Sequence, residues 1–159
     1  MVQDMDLSDL ITPYGVIPSL KASNKKQVLQ ILSDRAADLT GLNSVDIYNI
    51  LIQRERLGTT GIGMGVGIPH GKLPELATLY GIFARLDRPI PFEAIDDQPV
   101  DLVFLLLAPT NAGADHLKAL ARVSRLLRDR PTCQKLRGTD NPDALYALLT
   151  DRAESTNAA

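Results

Sequence analysis

Residues 100–109, VDLVFLLLAP, are apolar at nearly every position, rich in β-branched, aromatic and leucine side chains, and closed by a proline. A run of this kind reads as a strand, and a strand without polar alternation is buried on both faces. The sheet that holds it therefore needs helices on either side.

The flanking sequence offers them. NKKQVLQILSDRAADL follows Ser23 as a plausible N-cap, sets Val28, Ile31, Leu32 and Leu39 at helical intervals, and stops at Gly41. Ser44 opens VDIYNILIQRER, with Val45, Tyr48 and Ile52 on its apolar face and Gly58 at its end. AGADHLKALARVSRLLRDR places Leu117, Leu120, Ala121, Val123, Leu126 and Leu127 on one broad stripe ending before Pro131. PTCQKLR and NPDALYALLTDR predict two more helices, the second with Asn141 as N-cap and Pro142 at the first helical position. TLYGIFARL (78–86) predicts a second strand, and YGVIPSL (14–20), with Pro18 inside it, an edge strand. DRPIPFEAIDDQP, with three prolines and four acids, has the composition of a surface connection, with room for a short strand. The tail AESTNAA is expected to fray. The order of elements predicts an α/β fold, a layered sheet covered by helices on both faces, and no repeat or linker divides the 159 residues into more than one domain.

Composition narrows the function. A content of 45% hydrophobic and 23% charged residues is that of a compact soluble protein. A net charge of −2, with the basic residues spread along the chain, argues against a nucleic-acid partner. The N-terminal MVQDMDLSDL is acidic where an export signal is basic and then apolar. The apolar run VFLLLAP is far shorter than the roughly 20 residues of a membrane-spanning helix. Cys133 is the chain's one cysteine, so no intramolecular disulfide or Cys-rich metal site is possible, and a cytoplasmic location is expected.

The stretch GIGMGVGIPHG (61–71) holds five of eleven glycines and one of two histidines. It is neither a P-loop, because Gly71-Lys72 is followed by Leu73, nor a dinucleotide fingerprint, because the glycine spacing fails. Its period of two predicts an extended segment with Gly61, Gly63, Gly65 and Gly67 on one side and Ile62, Met64, Val66 and Ile68 on the other. The bare side admits either a packed neighbour or a ligand. Pro69 should end the strand and leave His70 at its rim. Arg54, Arg56, Thr59, Thr60 and Lys72 surround the stretch with cationic and hydroxyl donors, a set suited to a tetrahedral dianion; for the two arginines, a solvated last helical turn is an equal alternative. His116 with Asp115 and His70 is a poor zinc set, since no His-x-x-x-His or Cys pair occurs, and on its own an early helical histidine is a polar surface residue. No Gly-x-Ser-x-Gly supports serine hydrolysis, and Cys133 suits packing.

RERLGTTGIGMGVGIPHGKLPE resembles the active-site signature of the nitrogen-regulatory enzyme IIA proteins of the bacterial phosphoenolpyruvate-dependent phosphotransferase system, in the fructose/mannitol IIA superfamily. RPIPFEAIDDQPVDLVFLLLAP and ADHLKALARVSRLLRD extend the resemblance from about residue 5 to residue 151. It implies a three-layer sandwich with a mixed sheet, His70 as the phosphorylated nucleophile, Arg54 as the arginine near the phosphoryl group and His116 as the assisting histidine, with no cofactor and no metal. Met64 and Gly67 depart from it, where many members carry Asn and Ala. The implied function is a cytoplasmic phosphoryl carrier charged by an HPr-type phosphohistidine protein, whose phosphorylation state governs partners such as potassium transporters or sensor kinases. The alternatives are a sugar-uptake component serving a IIB protein, and a binding module that no longer transfers phosphate.

Overall fold

The computed structural model describes residues 7–150, so the tail expected to fray lies outside it. In chain order the elements are β1 (Val16–Leu20), α1 (Lys25–Thr40), α2 (Ser44–Leu57), β2 (Gly61–Gly63), β3 (Val66–Gly67), β4 (His70–Leu73), β5 (Tyr80–Ile90), β6 (Val100–Pro109), α3 (Ala114–Leu127), α4 (Arg130–Arg137) and α5 (Pro142–Thr150). None of the described helices is long and apolar enough to cross a membrane.

The apolar run is β6, inside a six-stranded sheet of order β1-β5-β6-β3-β2, with β4 also paired to β6. Its side chains divide by parity. Val103, Leu105 and Leu107 enter a core with Val28, Leu32, Ile47 and Leu51 of α1 and α2. Leu102, Phe104 and Leu106 enter a second core with Val123, Leu127, Leu136 and Leu145 of α3, α4 and α5. The result is the expected three-layer arrangement. The sheet is mixed: β6 runs antiparallel to β5 and parallel to β3 and β4, and β1, at the edge, runs parallel to β5.

The glycine stretch differs from the single extended segment expected. It folds into a hairpin, β2 antiparallel to β3, that turns at Met64 (φ 58°) and Gly65 (φ 80°). Positive φ at both central residues is the type I′ pattern, whose twist matches that of the paired strands. The two-residue turn sets Gly63 opposite Val66 and so reverses the parity of the faces, but the register shift between Gly61 and Gly63 restores it by setting Gly61 opposite Gly67, which is why period two hid the turn. Nor does Pro69 end the strand. Val66 pairs with Leu102 and His70 with Leu106, a constant offset (102 − 66 = 106 − 70 = 36), so one edge strand continues along β6 past the proline.

The bare glycine side is filled by protein. A Cβ on Gly61 would lie 2.8 Å from Ala94 Cβ, and one on Gly67 3.1 Å from the Phe92 ring. Phe92 and Ala94 belong to the segment expected to be a surface connection; instead β5 extends to Ile90, and Ile90, Phe92 and Ala94 are buried between exposed Pro91 and Glu93. Prolines and acids dominated that composition, but the period of two was present.

Helix starts shift by one residue. Asn24, not Ser23, caps α1 by accepting from the Gln27 amide, and Asn43 caps α2, leaving Ser44 as its first helical residue. In α2 the buried residues are Ile47 and Leu51, with Val45 exposed, and in α3 Leu117 is exposed while Ala119 and Val123 are buried.

Met64 occupies a left-handed conformation that a long side chain tolerates poorly and asparagine tolerates well. Met64→Asn is expected to stabilise the protein by about 1 kcal/mol, the order of the left-handed penalty. A urea midpoint that stays unchanged or falls would refute this.

Candidate functional site

Three elements deliver the site. Arg54 sits in the last turn of α2, where its charge complements the helix dipole, and its Nη1 donates to the Gly58 carbonyl at 2.9 Å just past the helix end. His70 opens β4. Gly71 faces α2 so closely that a Cβ there would lie 2.5 Å from Ile50 Cγ2, and strand alternation therefore turns His70 to the opposite face, towards α3. His116 lies in the first turn of α3 and is 6% exposed, so it is a core histidine and not the surface residue its position suggested.

The two imidazoles meet edge to face, with centroids 5.6 Å apart. Across 116 − 70 = 46 residues of sequence, that contact belongs to the fold. The His70 tautomer follows from its partners. Nδ1 lies 2.9 Å from the Ile68 carbonyl, which can only accept, so Nδ1 carries the proton. Nε2 thus keeps its lone pair, and Arg54 Nε donates to it at 3.3 Å. Burial pushes His70 below its ordinary value of 6.5; the Ile68 carbonyl raises it, the Arg54 charge lowers it further and Glu55 raises it. His116 is lowered first by burial, then by His70 and Lys72. Both rings are therefore neutral at pH 7. His116 Nε2 is buried without a hydrogen-bond partner among the described residues.

The remaining residues of the expected donor set do not join. The Thr59 hydroxyl donates to the Phe92 carbonyl and the Thr60 hydroxyl to Glu55. Arg56 is exposed and unpaired among the described residues, which fits the solvated-turn reading. Lys72 is exposed two residues along β4, on the His70 face. Among the described residues no three His, Cys, Asp or Glu side chains could hold a metal ion. Sequence reasoning missed Glu55, Lys25 and Phe92, which pack behind the site.

The lowered histidines give stability a pH dependence. The unfolded chain, with histidines near 6.5, binds protons that the folded protein refuses, so stability is complete above 6.5 and declines as pH falls through the window below it. Urea midpoints at pH 7.5 and 5.5 should show this loss, and a His70→Gln, His116→Gln double variant should show less of it. An equal loss in the double variant would assign it to other groups.

Comparison with known proteins identifies the family. Residues 9–152 match the family model described as phosphoenolpyruvate-dependent sugar phosphotransferase system, EIIA 2. A nitrogen regulatory protein of Bradyrhizobium diazoefficiens is 58% identical over 91% of this chain and 95% of its own. The crystal structure of nitrogen regulatory protein IIA-Ntr from Neisseria meningitidis superposes with a TM-score of 0.85 at 29% identity, over 89% of this chain and 97% of that one. IIA mannitol from Escherichia coli shares the fold, with a TM-score of 0.74 at 19% identity over 87% and 98% of the two chains. Sequence and fold converge: the chain belongs to the type 2 enzyme IIA family of the phosphoenolpyruvate-dependent phosphotransferase system, among its nitrogen-regulatory members.

Proposed function

We propose that the protein is a cytoplasmic phosphoryl carrier that accepts phosphate on Nε2 of His70 from an HPr-type phosphohistidine protein, and that its phosphorylation state selects its partners. The observation that carries this is the fixed tautomer: Nδ1–H is held by Ile68, and the Nε2 lone pair faces a cation. Transfer forms the Nε2–P bond as the donor's N–P bond breaks. No proton has to leave Nε2, so neither a base nor a metal is required. Such transfer asks for positioning and for charge on the equatorial oxygens. Arg54 supplies a guanidinium beside Nε2, and the unpartnered Nε2 of His116 can carry a proton to donate to a phosphoryl oxygen. Placement of His116 in the first turn of α3 adds the positive end of a helix dipole.

The test is incubation with phosphoenolpyruvate and the enzyme I-type and HPr-type proteins, followed by intact mass and acid lability. One acid-labile phosphoryl group is expected; no mass gain, with donors active on a known acceptor, refutes the proposal. His116→Ala should still accept the phosphoryl group, at least tenfold more slowly, as removal of one preorganised donor aimed at developing charge costs about 10²-fold or more at full effect. An unchanged rate would remove His116 from the reaction. The partners of regulation are target proteins such as potassium transporters or sensor kinases. Restoration of sugar phosphorylation on mixing with a IIB protein and a membrane IIC would instead make the output sugar uptake.

A further inference from the structure

Behind Arg54 and His70 lies a buried carboxylate that the transfer step does not use. Glu55 is 6% exposed in its side chain and pairs with Lys25 Nζ at 2.9 Å, itself only 14% exposed. Lys25 also sits over the Phe92 ring at 4.6 Å and reaches Glu93 at 3.4 Å. A buried ion pair of this kind is weak as a stabilising device, because desolvation offsets most of the attraction. Its hydrogen bonds are more informative. Glu55 accepts from the Thr60 amide at 3.1 Å and from the Thr60 hydroxyl, so the last turn of α2 is tied to the start of the glycine hairpin.

Those bonds close a ring around His70. Thr60 is 4% exposed, and its carbonyl accepts from the Ile68 amide at 2.9 Å. The Ile68 carbonyl in turn accepts from His70 Nδ1. On the other side, Arg54, the residue before Glu55, donates to His70 Nε2. Both nitrogens of the imidazole are thus held by groups whose backbones meet at Glu55. We propose that Glu55 is a positioning residue: clamped by Lys25, its carboxylate sets the spacing between α2 and the hairpin, and so aligns Arg54 and Ile68 on the two nitrogens of His70. This rests on the carrier reading for its kinetic consequences but not for its structural ones. It also accounts for a second, separate feature. Thr60, whose hydroxyl composition assigned to phosphate, is used to transmit this clamp.

The experiment compares Glu55→Ala with Arg54→Ala, with the double variant Glu55→Ala, Arg54→Ala, and with Glu55→Gln. Glu55→Ala should lower the maximal rate of phosphoryl acceptance about tenfold, as misplacement of a catalytic group does, without changing the donor concentration for half-saturation. In the Arg54→Ala background the same substitution should cost less than threefold. Glu55→Gln, whose amide oxygen still accepts from Thr60, should recover most of the rate. If the two single costs multiply, or if only half-saturation changes, Glu55 does not act through Arg54 and the inference fails. Because Glu55→Ala leaves Lys25 buried without its partner, a Lys25→Met, Glu55→Leu variant, with neither charge, repeats the measurement should the alanine variant not fold.

A second readout needs no transfer. In the wild type the His70 ring nitrogens should give distinct ¹⁵N signals, protonated Nδ1 and unprotonated Nε2, and these should move towards one another when Glu55 is removed. Wild-type ring signals in folded Glu55→Ala, or in Lys25→Met, Glu55→Leu, overturn the inference. Failure of the carrier reading looks different: the wild type gains no phosphoryl group, while the ring signals still report whether Glu55 holds the tautomer.

Discussion

The His70→Ala variant is expected to gain no phosphoryl group from a charged HPr-type donor under conditions that fully charge the wild type. The loss should be complete, because none of the described residues offers a second nucleophile in reach. His116 adjoins His70, but it is buried, and its Nε2 is shielded from solvent. Cys133 is buried, its thiol donates to the Leu127 carbonyl, and burial raises it above its ordinary range. A thiol in that state is a poor nucleophile. The variant should fold, since His70 is half-buried at a sheet edge and belongs to neither apolar core. Intact mass and acid lability decide the matter. An acid-labile phosphoryl group on His116 in this variant would reverse the roles given to the two histidines.

Arg54→Ala comes second in expected size. Removing one preorganised donor aimed at developing charge costs about 10²-fold or more in other enzymes, and Arg54 is the one cation bonded to Nε2 of His70. The effect should be on the maximal rate. Protonation of His70 is not the cause at pH 7, because burial, the largest influence on the ring, remains after the arginine is gone. Arg54→Lys should recover little, since a lysine ammonium cannot hold the Gly58 carbonyl and Nε2 together with a planar fork. Single-turnover transfer from the phosphorylated donor checks this. A rate within threefold of wild type would mean that Arg54 serves the C-terminal dipole of α2 and not the reaction.

Much of this was legible before any coordinates. The run at 100–109 demanded two helical layers because a strand apolar at every position has no face to give to water, and β6 divides its side chains between two cores accordingly. The helices of 25–40, 44–57 and 114–127 followed from period 3.6, and the caps of the first two were misplaced by a single residue because Ser and Asn stand side by side at 23–24 and 43–44. The proposed pair was legible through resemblance to known enzymes IIA: His70 from IPHG and His116 from DHLKAL. Local pattern alone gave no reason to bring them together and pointed to a surface position for His116.

Other features escaped for physical reasons. The hairpin at Met64-Gly65 reverses the parity of the faces and the register shift before it restores it, so the glycine spacing reads the same for one long strand as for two short ones. Phe92 was obscured by prolines and acids, although its burial against Gly61 and Gly67 explains why the stretch needs bare backbone there. Glu55 looked like one charge among three in RER; its partners, Lys25 and Thr60, lie 30 residues before it and five after it.

The sequence by itself thus determined the layers, the helices and the chemical types at the site, since these depend on periodicity and on the residues present. The tertiary structure decided the chemistry's geometry: which nitrogen of His70 is free, which arginine faces it, and which charges are buried behind it. Those depend on distances across the sheet and between α2, β4 and α3, and hydrogen bonds select a tautomer only when donor and acceptor are brought within about 3 Å.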